Sequence, residues 1–281
     1  MAGGKGKAIA HLNPLVVIRG GGDLATGVAA RLHRAGFSVV VLEIEQPLAV
    51  RRGVALAEAV YAGRIRIEEI EAAHAAGVQD LPAILNAGAI PVLVDAQAEC
   101  LAKLAPLVIV DGRMRKAPSE LPRDGARLTI GLGPGFTAGV DCHAVVETRR
   151  GHRLGRVIWD GPAALDTGIP EAVDGYAVDR VLRAPSPGVM RGLREIGAVV
   201  RRGETLLAID GVTVRAPFDG ALRGLLHDGL RVETGTKVGD LDPRGDPRYC
   251  TDISDKALAV GGGVLEAVLS RAEIRRALGS A

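Results

Sequence analysis

The chain has 281 residues, of which 47% are hydrophobic and 24% charged, and its formal net charge is +2. These proportions exclude disorder, collagen and coiled coil, and the small net charge excludes polyanion binding through bulk charge. Aromatics are only 2% while glycine reaches 38 residues, so the core must come from Val, Leu, Ile and Ala, and stacking platforms for single-stranded nucleic acid are not expected.

Residues 1–13 hold Gly, Lys and a short Ala-Ile-Ala run, too weak for a signal-peptide core, and read as a flexible lead-in. No apolar run reaches about 18 residues, so no spanning helix, no membrane partner and a cytoplasmic location are expected. Cys100, Cys142 and Cys250 lie far apart with no CxxC pair, which argues against a disulfide framework or a zinc knuckle.

Residues 14–178 form the first expected region. Short, continuous, β-branched runs at 15–18, 39–42, 91–94 and 107–110 predict strands covered on both faces. Helices are predicted between them over 24–35, 67–76, 81–87 and 98–104. The alternation implies an α/β fold with an N-terminal Rossmann-like parallel sheet. A Gly-rich extension follows, with strands expected at 127–131, 143–148 and 154–159.

Residues 179–244 carry an internal repeat. Residues 183–210 align with 215–242 at a constant offset of 32. Arg183/Arg215, Ala184/Ala216, Pro185/Pro217, Gly188/Gly220 and Asp210/Asp242 are among the matches. Each unit predicts a small β-meander that cannot bury its apolar face alone, so two units should close into a pseudo-two-fold flattened barrel. The pattern resembles the biotinyl/lipoyl-carrier hammerhead. The join at 209–213 lacks the acceptor lysine, and Lys237 stands at another turn, so neither biotin nor lipoate is expected and the barrel reads as a packing or docking module. Residues 245–281 form a C-terminal segment with a helix expected to pack back on the first region.

The first predicted strand runs into Gly20-Gly21-Gly22-Asp23-Leu24-Ala25, which fits the dinucleotide fingerprint in its G-x-G-x-x-A form. The first Gly allows the tight turn, the second admits a pyrophosphate, and the small third residue permits close packing. Glu43 ends the next strand, where a ribose-binding acid belongs. Asp23 would repel a pyrophosphate unless it caps the helix as its N-cap. The rival reading is a glycine turn that serves only strand–helix packing.

Arg51 and Arg52 either hold a phosphate or carboxylate or form a solvated turn. Gly131, Gly133, Pro134 and Gly135 make a second glycine loop without the ending of a P-loop. Beyond it come Asp141, His143, Glu147, Arg149, Arg150, His152 and Arg156. Their spacing matches no metal, so none is expected, and Arg149, Arg150 and His152 are expected to close an anion-facing cleft. Glycines 261–263, opening a helix, offer a further anion nest. Cys250 precedes them. It is either a buried structural thiol or, with a lowered pKa, a sulfur or selenium carrier.

Several stretches together resemble one family: residues 17–25, 51–60, 132–139, 147–156, 237–244, 254–256 and 261–266. They are similar to the selenium-dependent molybdenum hydroxylase accessory proteins, distantly related to XdhC-type maturation factors. Where that family has Asp followed by paired lysines and Asn, this chain reads Asp111-Gly-Arg-Met-Arg-Lys116. The resemblance implies a maturation factor that serves a molybdenum hydroxylase apoenzyme and handles a nucleotide-bearing cofactor, such as a molybdopterin dinucleotide. It also allows assistance in sulfur or selenium insertion. Two rivals stand beside it. One is an NAD(P)-dependent oxidoreductase using the same turn, though Tyr61, Tyr176 and Tyr249 have no lysine four residues later. The other is a non-catalytic scaffold with a vestigial Rossmann domain.

Overall fold

The computed structural model describes residues 14–114, 123–166, 168 and 173–279. The lead-in over 1–13 and positions 115 and 116 of the Asp111–Lys116 stretch lie outside them.

The α/β part starts with β1 (Leu15–Arg19), α1 (Asp23–Arg34), β2 (Ser38–Glu43), α2 (Ala59–Ala62), β3 (Arg64–Ile67) and β4 (Ile70–Ala75). Next come α3 (Leu81–Asn86), β5 (Ile90–Val94), α4 (Leu101–Leu104) and β6 (Val108–Asp111). It continues with β7 (Leu128–Leu132), β8 (Thr137–Ala138), β9 (Ala144–Val146), β10 (Val157–Ile158) and β11 (Gly161–Pro162). Nine of these strands form one sheet in the order β10-β9-β7-β6-β1-β2-β5-β4-β3. The sheet is mixed and not wholly parallel as expected, because β3 runs antiparallel to β4 at one edge and β10 antiparallel to β9 at the other.

The predicted helix over 67–76 is the outcome most at odds with the sequence pattern. That stretch is the end of β3, a turn and β4, with Glu68 at φ 53 making the reversal. Ile67 and Ile70 are three apart, which suits one helical face. A turn between them instead places both against the core, and β4 then pairs with β5 through Ala72↔Ile90 and Ala75↔Leu93. The predicted helix over 98–104 shortens to α4, after Ala98 takes φ 59.

The second unit comprises β12 (Val181–Arg183), β13 (Gly188–Gly192), β14 (Val199–Val200), β15 (Thr205–Ile209), β16 (Val212–Arg215), β17 (Gly220–Leu225), β18 (Arg231–Val232) and β19 (Lys237–Asp242). They form two four-stranded sheets, β12-β19-β17-β14 and β16-β15-β13-β18. Exchanging strands across the repeat converts one order into the other. The expected lipoyl-like barrel is corrected. Among the described strands no pairing joins the two sheets, so they face each other as an open sandwich over a core of Leu206, Leu207, Leu222, Val238, Leu241 and their neighbours.

The C-terminal helices α5 (Asp255–Ser270) and α6 (Ala272–Leu278) return to the large sheet. Together with α1 they cover one face, in a core containing Val28, Leu32, Val41, Ile130, Val264 and Ile274. Leu81 and Leu104 lie in the cluster on the opposite face, with Val17 and Val40. Glycines 261–263 are therefore mid-helix. Gly261 faces the carbonyl of Gly27 on α1, a contact that no side chain would permit, so the expected anion nest is a packing device. No helix among the described residues is long and apolar enough to cross a membrane.

Candidate functional site

Neighbouring β1 and β6 lie where the strand order reverses: the chain leaves β1 for β2 on one side and reaches β6 on the other. Ligands of open α/β sheets bind in the crevice at the carboxyl ends of such strands. The glycine turn follows β1, and Gly112 and Arg113 follow β6.

Gly20 sits at φ 87 and donates its N–H to Leu42 O at 2.7 Å. Gly21 donates to Glu43 Oε2 at 3.2 Å, and its carbonyl accepts from Ala57 at 2.9 Å. Gly22 is the N-cap of α1 and no side chain caps that helix. A Cβ built on Gly22 would meet nothing within 4 Å. Thr26 stiffens the turn, donating from its hydroxyl to Gly22 O at 3.0 Å and accepting the N–H of Leu56 at 3.0 Å. Leu24 packs partly buried on the core, and Ala25 is small where Gly112 comes close.

Asp23 does not cap the helix. It is the first helical residue, and Arg51 Nη1 stands 2.6 Å from its Oδ2, which neutralises the charge that would repel an anion. Arg51 is 8% exposed and also donates to Tyr249 O at 3.0 Å. Arg52 donates to Leu225 O at 2.8 Å and faces Glu58 at 3.4 Å. The two arginines therefore tie the turn to the C-terminal segment and to the sandwich, and they do not form the solvated turn that adjacency in sequence allowed.

Glu43 accepts the N–H of Gly21 on one oxygen and that of Ile44, at 3.1 Å, on the other. Burial raises its pKa, opposed by these two bonds and by the nearby Arg113. Arg113 is a site residue that sequence reasoning missed. Its backbone and Cγ lie 3.2 Å from where a Gly20 Cβ would stand. Buried Asp111 holds its guanidinium through Nε–Oδ1 at 3.0 Å and Nη2–Oδ2 at 2.6 Å. The available signal was an acid ending a buried strand with a cation two residues on.

The second glycine loop borders the same crevice. Gly131 is paired with Asp111 inside the sheet. Gly133, at φ 70, approaches Met114 and donates to Val146 O at 2.9 Å, followed by Pro134 and by Gly135 at φ 100. Arg149, Arg150 and His152 are exposed and do not form the expected closing cluster. Arg150 grips Asp255 on the first turn of α5 with two 2.6 Å bonds. Glu147 is buried and accepts the N–H groups of Thr148, Arg149 and Ala164. His143 Nδ1 faces the Thr129 hydroxyl at 2.8 Å. Among the described residues no group of three His, Cys, Asp or Glu side chains is placed to hold a metal ion.

Cys250 is 2% exposed and its Sγ lies 3.7 Å from Leu222 O. Burial raises its pKa, although Arg223 and Arg51 act in the other direction. A carrier needs an accessible thiolate. The thiol here is a packed one, which corrects the carrier expectation.

No protein-family model matches the chain. It is 48% identical over 255 residues to an uncharacterized protein, YqeB, of Escherichia coli (strain K12). The match covers 91% of this chain and 47% of that protein, so the chain spans about half the length of the curated relative it matches. Among solved structures, an aspartoacylase family protein from Mesorhizobium loti aligns with a TM-score of 0.24 at 10% identity, covering 82% of this chain and 85% of that one. A succinylglutamate desuccinylase from Silicibacter gives 0.24 at 12%, and a succinylglutamate desuccinylase/aspartoacylase from Rhodobacter sphaeroides gives 0.25 at 16%, with the same coverages. Scores of this size transfer neither activity nor substrate. The lipoyl-like barrel is corrected by the sheet topology, and the comparisons lend no support to a selenium-dependent maturation protein, which is not carried further.

Proposed function

We propose that the chain binds a nucleotide-bearing cofactor, with its pyrophosphate on the first turn of α1 and a ribose hydroxyl on Glu43. A molybdopterin dinucleotide and NAD(P) share these two groups. The observation that carries the reading is the uncapped N-terminus of α1, opening at Gly22 onto free space beside the switch point. Unmet N–H groups and the positive end of the helix dipole attract an anion there. Each Glu43 oxygen takes one backbone N–H, which leaves a lone pair on each for a ribose hydroxyl. Arg113 adds a fixed cation at the crevice.

The test is native mass spectrometry followed by calorimetry, with NAD, NADP, CTP, ATP and a molybdopterin dinucleotide extract. Saturable binding of a pyrophosphate-bearing ligand, weakened by Glu43→Ala, supports the proposal. Retention of none of them would show that the glycine turn serves packing alone. Selective binding of NAD(P), with hydride transfer, would favour the oxidoreductase reading.

A further inference from the structure

Residues 237–244 are one of the family-like stretches of the sequence, and the glycine-turn site does not use them. In the sandwich their charged members converge with two arginines from elsewhere. Asp240 and Asp242 are fully buried on β19. Arg223, from β17, donates to Asp240 Oδ2 at 2.8 Å and to Asp242 Oδ2 at 3.1 Å. Arg244 clasps Asp242 through both oxygens, at 2.9 and 2.6 Å. Asp242 and one oxygen of Asp240 are thereby satisfied.

Around the other oxygen of Asp240 the chemistry is incomplete. Arg180 Nη2 and Lys237 Nζ each end 3.6 Å from Oδ1, within ion-pair reach but too far for hydrogen bonds, and Oδ1 accepts no hydrogen bond. The Arg180 side chain is 8% exposed, and its Nε and Nη1 also have no acceptor. Four cations (Arg180, Arg223, Lys237 and Arg244) thus face two carboxylates. Desolvation lowers the pKa of Arg180 despite Asp240. A buried guanidinium with orphaned donors is costly unless something accepts from it.

The internal repeat supplies a control. At the offset of 32, the other half carries Thr205 for Lys237, Ala208 for Asp240 and an exposed Arg191 for Arg223. That half builds the same four-stranded sheet without buried charge, so the fold does not require the cluster. Lys237, 41% exposed, is the solvent-facing member beside the buried Arg180 and Asp240.

We propose that Arg180 and Lys237, beside the carboxylate-bound Arg223, form a second anion site, built for a doubly charged oxyanion of the phosphate class. The ligand would accept from the Nε and Nη1 of Arg180 and from the ammonium of Lys237, and would balance the two excess positive charges. The full chain is titrated calorimetrically with inorganic phosphate, and separately with glycerol phosphate, against chloride of matched ionic strength. The expected result, measured in a Gly22→Asp background that closes the glycine turn to anions, is saturable binding that Arg180→Gln weakens at least about tenfold. Tighter binding of the ester than of free phosphate marks a ligand-borne phosphoryl group, and the reverse order marks the free ion. If Arg180→Gln does not fold, Lys237→Gln, at the open end, carries the test and should weaken binding roughly threefold or more. Equal affinity in that background and in the folded variant, or no saturable binding in that background, overturns the proposal. Because Gly22→Asp acts only at the glycine turn, failure there and failure here are read separately.

Discussion

Replacing Gly22 with aspartate separates ligand binding from folding. Gly22 has φ −71 and ψ −179, an extended conformation that any residue adopts, and an added Cβ meets nothing within 4 Å. Aspartate at an N-cap is better than glycine by only a few tenths of a kcal/mol. A negative charge at a helix N-terminus adds about 0.3–1 kcal/mol, and the neighbouring Asp23 is already paired with Arg51. The apo protein should therefore be as stable as the wild type or slightly more so, with a melting temperature raised by at most roughly 2–4 °C. The ligand should respond in the opposite sense. The new carboxylate takes the dipole-stabilised position and sets a like charge about 4 Å from the pyrophosphate, a combined loss of roughly 2–4 kcal/mol, or about 30- to 1,000-fold in affinity. Gly22→Asn, of equal size and no charge, should lose far less. Calorimetry and thermal unfolding on the three proteins measure both effects. Affinity unchanged within about twofold would remove the pyrophosphate from this turn, and a melting temperature lower by more than about 5 °C would refute the geometry.

Other consequences are equally direct. Gly261→Val places a branched side chain against the backbone of Gly27 and should cost at least about 2–3 kcal/mol, seen as a fall of roughly 5–10 °C in melting temperature; an unchanged value would mean that α1 and α5 are not in contact. All three thiols are buried, and burial pushes Cys100 up to about 12, Cys142 to about 11 and Cys250 upward. Aromatic disulfides and sulfane-sulfur donors should therefore label them only in denaturant, and rapid labelling of native Cys250 at neutral pH would reinstate it as a carrier. Arg150 holds the Asp255 carboxyl down to about 2. A folded pKa below the unfolded one contributes stability that is present above about pH 4 and lost as pH falls through about 2. Asp255 is largely exposed, so solvent screening keeps that contribution within about 1 kcal/mol. Arg150→Gln should return the Asp255 titration, followed by NMR, to the ordinary carboxylate range; an unmoved titration would exclude the pair.

What the sequence revealed depends on how local each determinant is. Strands β1, β2, β5 and β6 are continuous apolar runs because both faces of the sheet are covered, and that composition is readable residue by residue. So is the repeat, whose offset of 32 matches strand onto strand in the sandwich. The β3–β4 hairpin was not readable, because Ile67 and Ile70 satisfy a helical period until the turn at Glu68 is known. The partners of Arg51, Arg52 and Arg150 lie at Tyr249, Leu225 and Asp255, far along the chain, so adjacency alone presented these side chains as free cations. Gly261 reads as a loop residue unless the approach of α1 is visible. For the hairpin the missing information was one local turn; for the arginines and Gly261 it was a contact between segments distant in sequence.

The pairing of β12 with β19, through Val181↔Asp240 and Leu182↔Gly239, joins the strand by which the chain enters the sandwich to the strand by which it leaves. Entry and exit are therefore roughly 5 Å apart, and topologically the sandwich is an insertion within a single α/β layer. That layer is completed by α5, whose small residues cover α1 from beyond the sandwich in sequence. During synthesis the side of α1 that meets α5 stays uncovered until residues 255–270 have emerged. Folding of the large sheet is thereby a late event, and the sandwich, with its own core, is the part able to form first.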